Sequence, residues 1–544
     1  MNLKLTQKLF FGIIFLLAIA TRITSLDTVP YGLHADETSF LLNSKAILLT
    51  GKDEDSRLFP VALDSIIDPK PALYSYLQIP FIFLFGSSTF VSRLPSIILG
   101  ILSIAVVFLI FKEIKQEKLG IIMSFLLAMS PWHIIASRST QEVILSFFFL
   151  CLALLFLIKF LSLKNARSLF LFAISSLVSM YSYHSAKIIL PLFGVGCSFI
   201  WLYPDKKQFK KYFWKVLLTS AAVFMLSLLI INSSDRAMAI GLFSNDKIFA
   251  RVIEQIYSAT EDAPQLVLRL YYNKPASIIT EFIHQYLLHL DPIFLFISSG
   301  EPKRYLVPYH GLFYTFEFVL LGLGFYHAVK KLPRKLNLMF FLLLVVAPIP
   351  SALTTHETPS IIRVFPMILA FLYLIAVGLL YLYENVKYKK ILSFSLVIIY
   401  GLSFGQFWLQ YSVQQRKIQP WHRNDAYTRI SRRVREIESK YDRIMVTNDL
   451  RPLYLYFALD NLISIPELQN NPHARDQTQY SLGKFTFNRD SCNFDNIDER
   501  VLYIAEVRCK IENRRLSDLT VIDTISYLDG TPVYDLLEKA PANE

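Results

Sequence analysis

Two adjacent carboxylates stand in the stretch Gly32-Leu33-His34-Ala35-Asp36-Glu37. A carboxylate within hydrogen-bond reach of a hydroxyl or amine can take its proton as that atom attacks an electrophile. Further on, Asp68-Pro69-Lys70-Pro71 holds a lysine between two prolines, which restrict its backbone. A compact ammonium placed there can bind a phosphate as a point charge. Arg138 follows Ser130-Pro131-Trp132-His133 and precedes Glu142. Two more polar stretches, Tyr181-Ser182-Tyr183-His184-Ser185-Ala186-Lys187 and Thr354-Thr355-His356-Glu357-Thr358-Pro359 with Arg363 after it, supply further cations. This set suits a displacement whose leaving group is an anion. Asp36, with Glu37 beside it, is the candidate base, and Lys70, Arg138, His184, Lys187 and Arg363 are candidate phosphate-binding cations. Asp68, His133, Glu142 and His356 are candidate supporting groups. No spacing of ligand residues marks a metal site, so no metal and no cofactor are expected.

Each stretch also has a structural reading. Asp36 can cap a helix over 39–49, with Glu37 at its positive end. Lys70 can snorkel along an apolar surface. Trp132 and Arg138 can form an interfacial anchor, with an Arg138–Glu142 pair. The remaining stretches can be ordinary loops. Their shared placement along the chain favours the chemical reading.

That placement follows from the apolar runs, each weighed against a hydrocarbon core of ~30 Å. Eleven are predicted, at 9–26, 90–111, 119–135, 143–161, 168–184, 186–203, 212–231, 309–329, 336–353, 361–383 and 391–410. Alternate connections are rich in Lys and Arg, among them Lys112, Lys115 and Lys118, then Lys206, Lys207, Lys210 and Lys211, then Lys387, Lys389 and Lys390. By the positive-inside rule these face the cytoplasm, and so does the N-terminus. An odd span count puts the C-terminal tail outside. Ala18-Ile19-Ala20 has the look of a signal-peptidase site, but the loop and spans that follow favour an uncleaved anchor. All the candidate stretches then lie on the outer face. Two long outer loops, 27–89 and 232–308, exceed ordinary connections and are expected to be functional.

Composition agrees. The 544 residues are 53% hydrophobic and only 18% charged, with a mean hydropathy of +0.41. Soluble domains carry about a quarter charged residues. The net charge of +12 sits in short clusters between apolar runs rather than on one soluble face, which argues against nucleic-acid binding. Cys151 and Cys197 fall in apolar runs and read as buried thiols. Cys492 and Cys509 fall in the polar tail, where an outer location permits a disulfide between them. The expected division is a membrane domain, 1–413, and a soluble tail, 414–544. In the tail a basic helix over 421–440 leads to a strand at 443–447 and a helix near 452–459. Strands near 483–488, 501–506, 519–527 and 531–537 complete a small α/β domain.

The order of these motifs resembles a known family. An acidic pair in a long first loop, Lys70-Pro-Ala-Leu-Tyr, Ser92-Arg-Leu-Pro, Ser130-Pro-Trp-His, Asp291-Pro-Ile-Phe-Leu-Phe, Ala347-Pro-Ile-Pro-Ser-Ala-Leu-Thr and His356-Glu-Thr-Pro-Ser are similar to the bacterial glycosyltransferases of family 39. These are GT-C-fold enzymes related to protein O-mannosyltransferases and to the aminoarabinose transferase of lipid A. The resemblance covers about residues 10–385. It implies Asp36 as the catalytic base, Lys70 as a contact to the donor phosphate, and Arg138 as a counterpart of an arginine needed in the protein mannosyltransferases. Where the aminoarabinose transferase has a glutamate directly before its lysine, this chain has Pro69, with Asp68 one place back.

The expectation is therefore an α-helical polytopic membrane protein of the GT-C type in the plasma (inner) membrane, with an extracytoplasmic α/β tail. It would move a hexose or pentose from a polyprenyl-phosphate carrier to an acceptor outside, by a single inverting displacement. Its partners would be the lipid-linked donor, membrane lipids and an acceptor that is protein, lipid or polysaccharide. The rival readings are a transporter or flippase of lipid-linked sugars, a membrane scaffold whose tail binds a partner, and a different GT-C chemistry such as oligosaccharide transfer or ligation.

Overall fold

The computed structural model describes residues 5–64, 69–230, 241–244, 246–331, 334–447, 452–472, 474–489, 492, 494, 497–509 and 518–540. Asp68 lies outside them, as do 232–240 of the second loop. The chain forms two compact units. The first comprises Met1–Thr24, Ser96–Ser137 and Gln141–Gln410, and the second Ser25–Pro95, Arg138–Thr140 and Tyr411–Glu544. Residues 25–95 thus group with Tyr411–Glu544 in the second unit.

Among the described residues, six helices are long and apolar enough to cross a membrane. They are Thr89–Glu113, Glu142–Leu163, Lys206–Ile230, Lys335–Ala352, Phe365–Asn385 and Lys389–Gln414. A seventh results if Glu117–Met129 and Pro131–Ser137 count as one span, bent by 62°. The bend has a local cause. Pro131 lacks an N–H donor, and Ser130 before it is extended at φ −63°, ψ 124°.

All eleven expected runs coincide with helices or parts of helices, and six or seven of them pass that test of length and apolarity among the described residues. Ala166–Ser182 and Ala186–Leu202 have 17 residues each, which at 1.5 Å per residue is about 25 Å, short of a ~30 Å core. In the run 309–329 the helix starts only at Glu317.

The spans differ in their surroundings. Phe365–Asn385 has 83% of its apolar window buried and Lys389–Gln414 only 11%, so the latter turns its apolar side chains outward. Helices Glu317–Lys331 and Ile368–Asn385 meet backbone to backbone. A Cβ on Gly324 would lie 1.7 Å from the Leu374 carbonyl oxygen, and one on Gly378 2.0 Å from that of Leu320. Small residues at such crossings are what let helices associate closely in lipid.

The second unit joins the first loop to the tail. The loop holds a helix, Ala35–Thr50, a short antiparallel pair β1 (Ala62–Leu63) and β2 (Lys70–Pro71), and an apolar helix, Leu73–Phe85. That last helix, expected as loop, is too short to span. The tail forms a six-stranded sheet from β3 (Arg443–Thr447), β4 (Gln479–Leu482), β5 (Phe485–Asn488), β6 (Val501–Glu506), β7 (Leu519–Ser526) and β8 (Pro532–Lys539), in the order β4-β5-β3-β6-β8-β7. β3 runs parallel to both β5 and β6, and the outer pairings are antiparallel.

The expected α/β tail is thus present, with three differences. The basic helix is Asp425–Ile437 and begins after a 3₁₀ turn, Pro420–Arg423. The strand near 483–488 is the hairpin β4–β5, and a further helix, Ile465–Asn470, follows Leu453–Leu459. One apolar core runs from Leu42 and Ala46 of the loop helix to Ile430, Val434, Phe457, Ile504 and Leu536 of the tail. Cys492 and Cys509 form a disulfide beside a smaller cluster around Tyr503. Cys151 and Cys197 are buried thiols.

Candidate active site

The acidic pair opens the helix Ala35–Thr50, and the cap is His34 rather than Asp36. Gly32 takes a left-handed conformation (φ 62°), after which His34 is extended at φ −75°, ψ 168°. The helix therefore starts two residues earlier than a cap at Asp36 would allow. The His34 imidazole accepts from the Asp36 N–H at 3.2 Å. Glu37 closes the box by accepting from the His34 N–H at 3.3 Å. Asp36 is left inside the first turn, with its carboxylate available for other partners.

The two carboxylates then have opposite surroundings. Glu37 is fully buried. Its Oε2 lies 2.7 Å from Nη2 of Arg423, and its Oε1 lies 3.6 Å from Nε of Arg93. The Thr140 N–H donates to Oε1 at 2.8 Å. Burial by itself would raise this carboxyl. The guanidiniums of Arg423 and Arg93, with His34 and the Thr140 N–H, outweigh it and hold the carboxyl at about 2. Glu37 is thus an ionised strut, and its oxygens are already engaged.

Asp36 is about one-third exposed (34% of its side chain) and is ion-paired with Lys70, which is nearly buried. Lys70 sits on β2 opposite Leu63, and Phe40 lies under its ammonium, with 5.9 Å from Nζ to the ring centroid. The lysine that the sequence offers as a phosphate contact and the aspartate offered as a base therefore share one site. Arg138 is fully buried in the same unit. Its Nη2 donates to the Val29 carbonyl at 2.7 Å, and its guanidinium stands over the Tyr411 ring.

The other candidates belong to the first unit. His184, Lys187 and Arg363 line a cavity of about 360 Å³ together with Tyr183, Phe224 and Leu353. Arg363 also pins the adjoining turn, donating to Thr354 Oγ1 at 2.9 Å and to the His356 carbonyl. The His356 side chain is exposed and does not line this cavity. His133 is fully buried. It accepts from Arg22 Nη2 at 2.8 Å through Nδ1, and its Nε2 lies 3.0 Å from Ser103 Oγ. Arg22 in turn donates to the Ala128 carbonyl at 2.7 Å. His133 thus ties helices together, and that pairing of a charge inside the first unit meets the demand for internal partners. Glu142 is half-buried at the start of its helix. Among the described residues no group of three or more His, Cys, Asp or Glu side chains could hold a metal ion.

Two residues of the site were not singled out in the sequence. Arg93 stands in Ser92-Arg-Leu-Pro, a motif that carried resemblance but no assigned role. Arg423 lies in the tail, 386 residues from its partner Glu37. No local pattern marks it, though an arginine in a polar tail ahead of an amphipathic helix was visible.

Residues 69–231 match the family described as dolichyl-phosphate-mannose-protein mannosyltransferase. The matched stretch contains Lys70, Arg93, His133, Arg138, Glu142, His184 and Lys187, and leaves out Asp36, Glu37, Arg363 and Arg423. No curated protein sequence matches the chain. Among solved structures it is similar to an oligosaccharyltransferase of Archaeoglobus fulgidus tethered to an acceptor peptide, with TM-score 0.53 and 11% identity, over 98% of this chain and 74% of that one. It is also similar to AglB of Archaeoglobus fulgidus in complex with an inhibitory peptide and a dolichol-phosphate, with TM-score 0.52 and 12% identity, over 93% of this chain and 70% of that one. A looser likeness is to ArnT of Cupriavidus metallidurans bound to undecaprenyl phosphate, with TM-score 0.43 and 9% identity, over 97% of each chain. The chain is a multi-pass membrane protein with the fold of these archaeal oligosaccharyltransferases, the GT-C architecture its motifs imply, and residues 69–231 carry the mannosyltransferase family's pattern.

Proposed function

We propose that this protein is a membrane glycosyltransferase that moves a sugar from a polyprenyl-phosphate carrier to an acceptor on the extracytoplasmic face. The observation that carries the reading is the Asp36–Lys70 pair. It sets a partly exposed carboxylate beside a nearly buried cation, on a helix turn fixed by a second carboxylate. The matched family's description names a dolichyl-phosphate sugar donor, and AglB is described in complex with a dolichol-phosphate. Both lend support to a lipid-phosphate donor here.

In the proposed reaction Asp36 accepts the proton of an acceptor hydroxyl or amine. The acceptor atom forms a bond to the anomeric carbon as the bond from that carbon to the phosphate oxygen breaks. The sugar inverts in this one displacement, through an oxocarbenium-like transition state. The carrier leaves as polyprenyl phosphate, and Lys70 and Arg138 offset its growing charge. The cavity lined by His184, Lys187 and Arg363 combines cations with apolar walls, a combination suited to a lipid phosphate and the first isoprene units behind it. Charge stabilisation assigned to lysine and arginine predicts turnover that survives chelation by EDTA.

The test is sugar transfer by the purified protein in liposomes supplied with polyprenyl-phosphate sugars, with release of polyprenyl phosphate as the readout. Wild type is expected to release the carrier lipid, and Asp36→Asn to lose at least about 100-fold in turnover, the low end for loss of a general base. Full turnover by a folded Asp36→Asn protein would overturn the base assignment. Absence of polyprenyl phosphate binding by folded wild type, read by native mass spectrometry, would overturn the donor class.

A further inference from the structure

The mechanism above gives no part to Glu37 or to the C-terminal tail, yet the tail supplies the nearest partner of Glu37. Arg423 is fully buried. One nitrogen, Nη2, contacts Glu37 Oε2 at 2.7 Å, while Nε donates to the Tyr31 carbonyl at 2.9 Å. Arg93 donates to the Gly32 carbonyl at 2.7 Å and to that of Leu26 at 2.8 Å. The Tyr456 hydroxyl donates to the Leu33 carbonyl at 2.7 Å. Three successive carbonyls just upstream of the His34 cap are thus held by side chains, and two of the three donors come from the tail. Gly32 makes this possible. Its left-handed backbone turns the chain, and a Cβ there would sit 3.3 Å from the Arg423 carbonyl oxygen and 3.4 Å from Asp425 Cα.

We infer that Arg423 is a positioning residue, which fixes the 31–37 turn through Glu37 and the Tyr31 carbonyl and so sets the Asp36 carboxylate against Lys70. The tail is then a working part of the active site and not an appended binding module. This rests on the reading of Asp36 as the base. The planar guanidinium fits the role, because it reaches a carboxylate and a carbonyl at once with rigid geometry, which an ammonium does not do. Its effect on Asp36 runs through the backbone of the turn that it grips. Misplacing a reacting group by an ångström can cost about 100-fold in rate, so the effect belongs to turnover and not to donor affinity.

The experiment compares wild type, Arg423→Met, Arg423→Lys, Glu37→Gln and the Glu37→Gln/Arg423→Met double variant in liposomes. It reads kcat, KM for the polyprenyl-phosphate sugar, and binding of polyprenyl phosphate by native mass spectrometry. All rates are normalised to the folded fraction. Arg423→Met is expected to lose 10- to 100-fold in kcat with donor binding within about twofold of wild type. Arg423→Lys should recover part of that loss. The double variant should lose less than the product of the two single losses, because the Glu37–Arg423 contact is shared between them. Wild-type kcat in folded Arg423→Met, or strictly additive losses in the cycle, overturns the inference. If Arg423→Met does not fold, Arg423→Lys decides: a lower kcat with retained donor binding supports the inference, and wild-type kcat overturns it. Wild type that binds the carrier yet transfers no sugar overturns the glycosyltransferase reading itself. An active wild type with an equally active Arg423 variant overturns only the role of Arg423.

Discussion

At the scale of residues, the site is a study in how two neighbouring carboxylates come to differ. Asp36 and Glu37 are adjacent in sequence, and nothing in the dipeptide says which one is reactive. Solvent and partners decide. Glu37 is enclosed by Arg423 and Arg93, while Asp36 keeps about a third of its surface and is paired with Lys70. Surroundings this different suit the proposed division of labour between a buried strut and a partly exposed base. The strut has a pH signature. Its native value near 2 lies below the ordinary carboxylate range, so its stabilising contribution is complete above about pH 5. That contribution is lost as the pH falls through the native value. Thermal unfolding of the second unit, followed between pH 6 and pH 3, should show this loss, and Glu37→Gln should flatten it. The same variant strands two buried guanidiniums, for which about 3–5 kcal/mol of destabilisation is expected, read by denaturant unfolding. The sequence offered Asp36, Glu37, Lys70 and Arg138, because each sits in a short pattern with a chemical meaning. Arg423 carries no such pattern. Its significance arises only when folding brings the tail to the first loop, and reading one chain in order gives no view of that.

At the scale of elements, apolar runs located nearly every long helix, because a lipid-facing segment must be apolar along its length. What they did not supply was helix length. Tyr183-His184-Ser185 separates two helices of 17 residues, and Pro131 bends another run. The polar break is also where His184 and Lys187 meet the cavity. Replacing Lys187 and Arg363 together by alanine should weaken polyprenyl phosphate binding by about tenfold or more, an energy of roughly 1.4 kcal/mol. Titration by native mass spectrometry would read it. The crossing of Glu317–Lys331 with Ile368–Asn385 allows no side chain at Gly324 or Gly378. Gly378→Val should lower the melting temperature in detergent, with an overpacking cost of about 1–3 kcal/mol or more. In the tail, the disulfide closes a loop with a sequence separation of 17. Replacing both cysteines by serine should destabilise the tail by about 3 kcal/mol, seen as an earlier unfolding transition without reductant.

At the scale of the whole chain, the sequence suggested a membrane body followed by a soluble tail, a division read from hydropathy alone. Hydropathy reports which segments meet lipid and is silent on which polar segments pack together. The observed grouping rests on Leu42 and Ala46, which look like ordinary residues of a loop helix until Ile430, Val434 and Phe457 are found against them. The second unit is consequently built from three separate stretches, 25–95, 138–140 and 411–544. This has a consequence for biosynthesis. Domains generally fold as units, and N-terminal parts emerge first during synthesis. Here Glu37 is made 386 residues before Arg423, the arginine that holds it. A ribosome that stalls or terminates before codon 423 delivers a polypeptide with most of its apolar helices but with Glu37 lacking the guanidinium closest to it. On the proposed reading of Asp36 as the base, such nascent chains lack a finished reaction centre until Arg423 has been added.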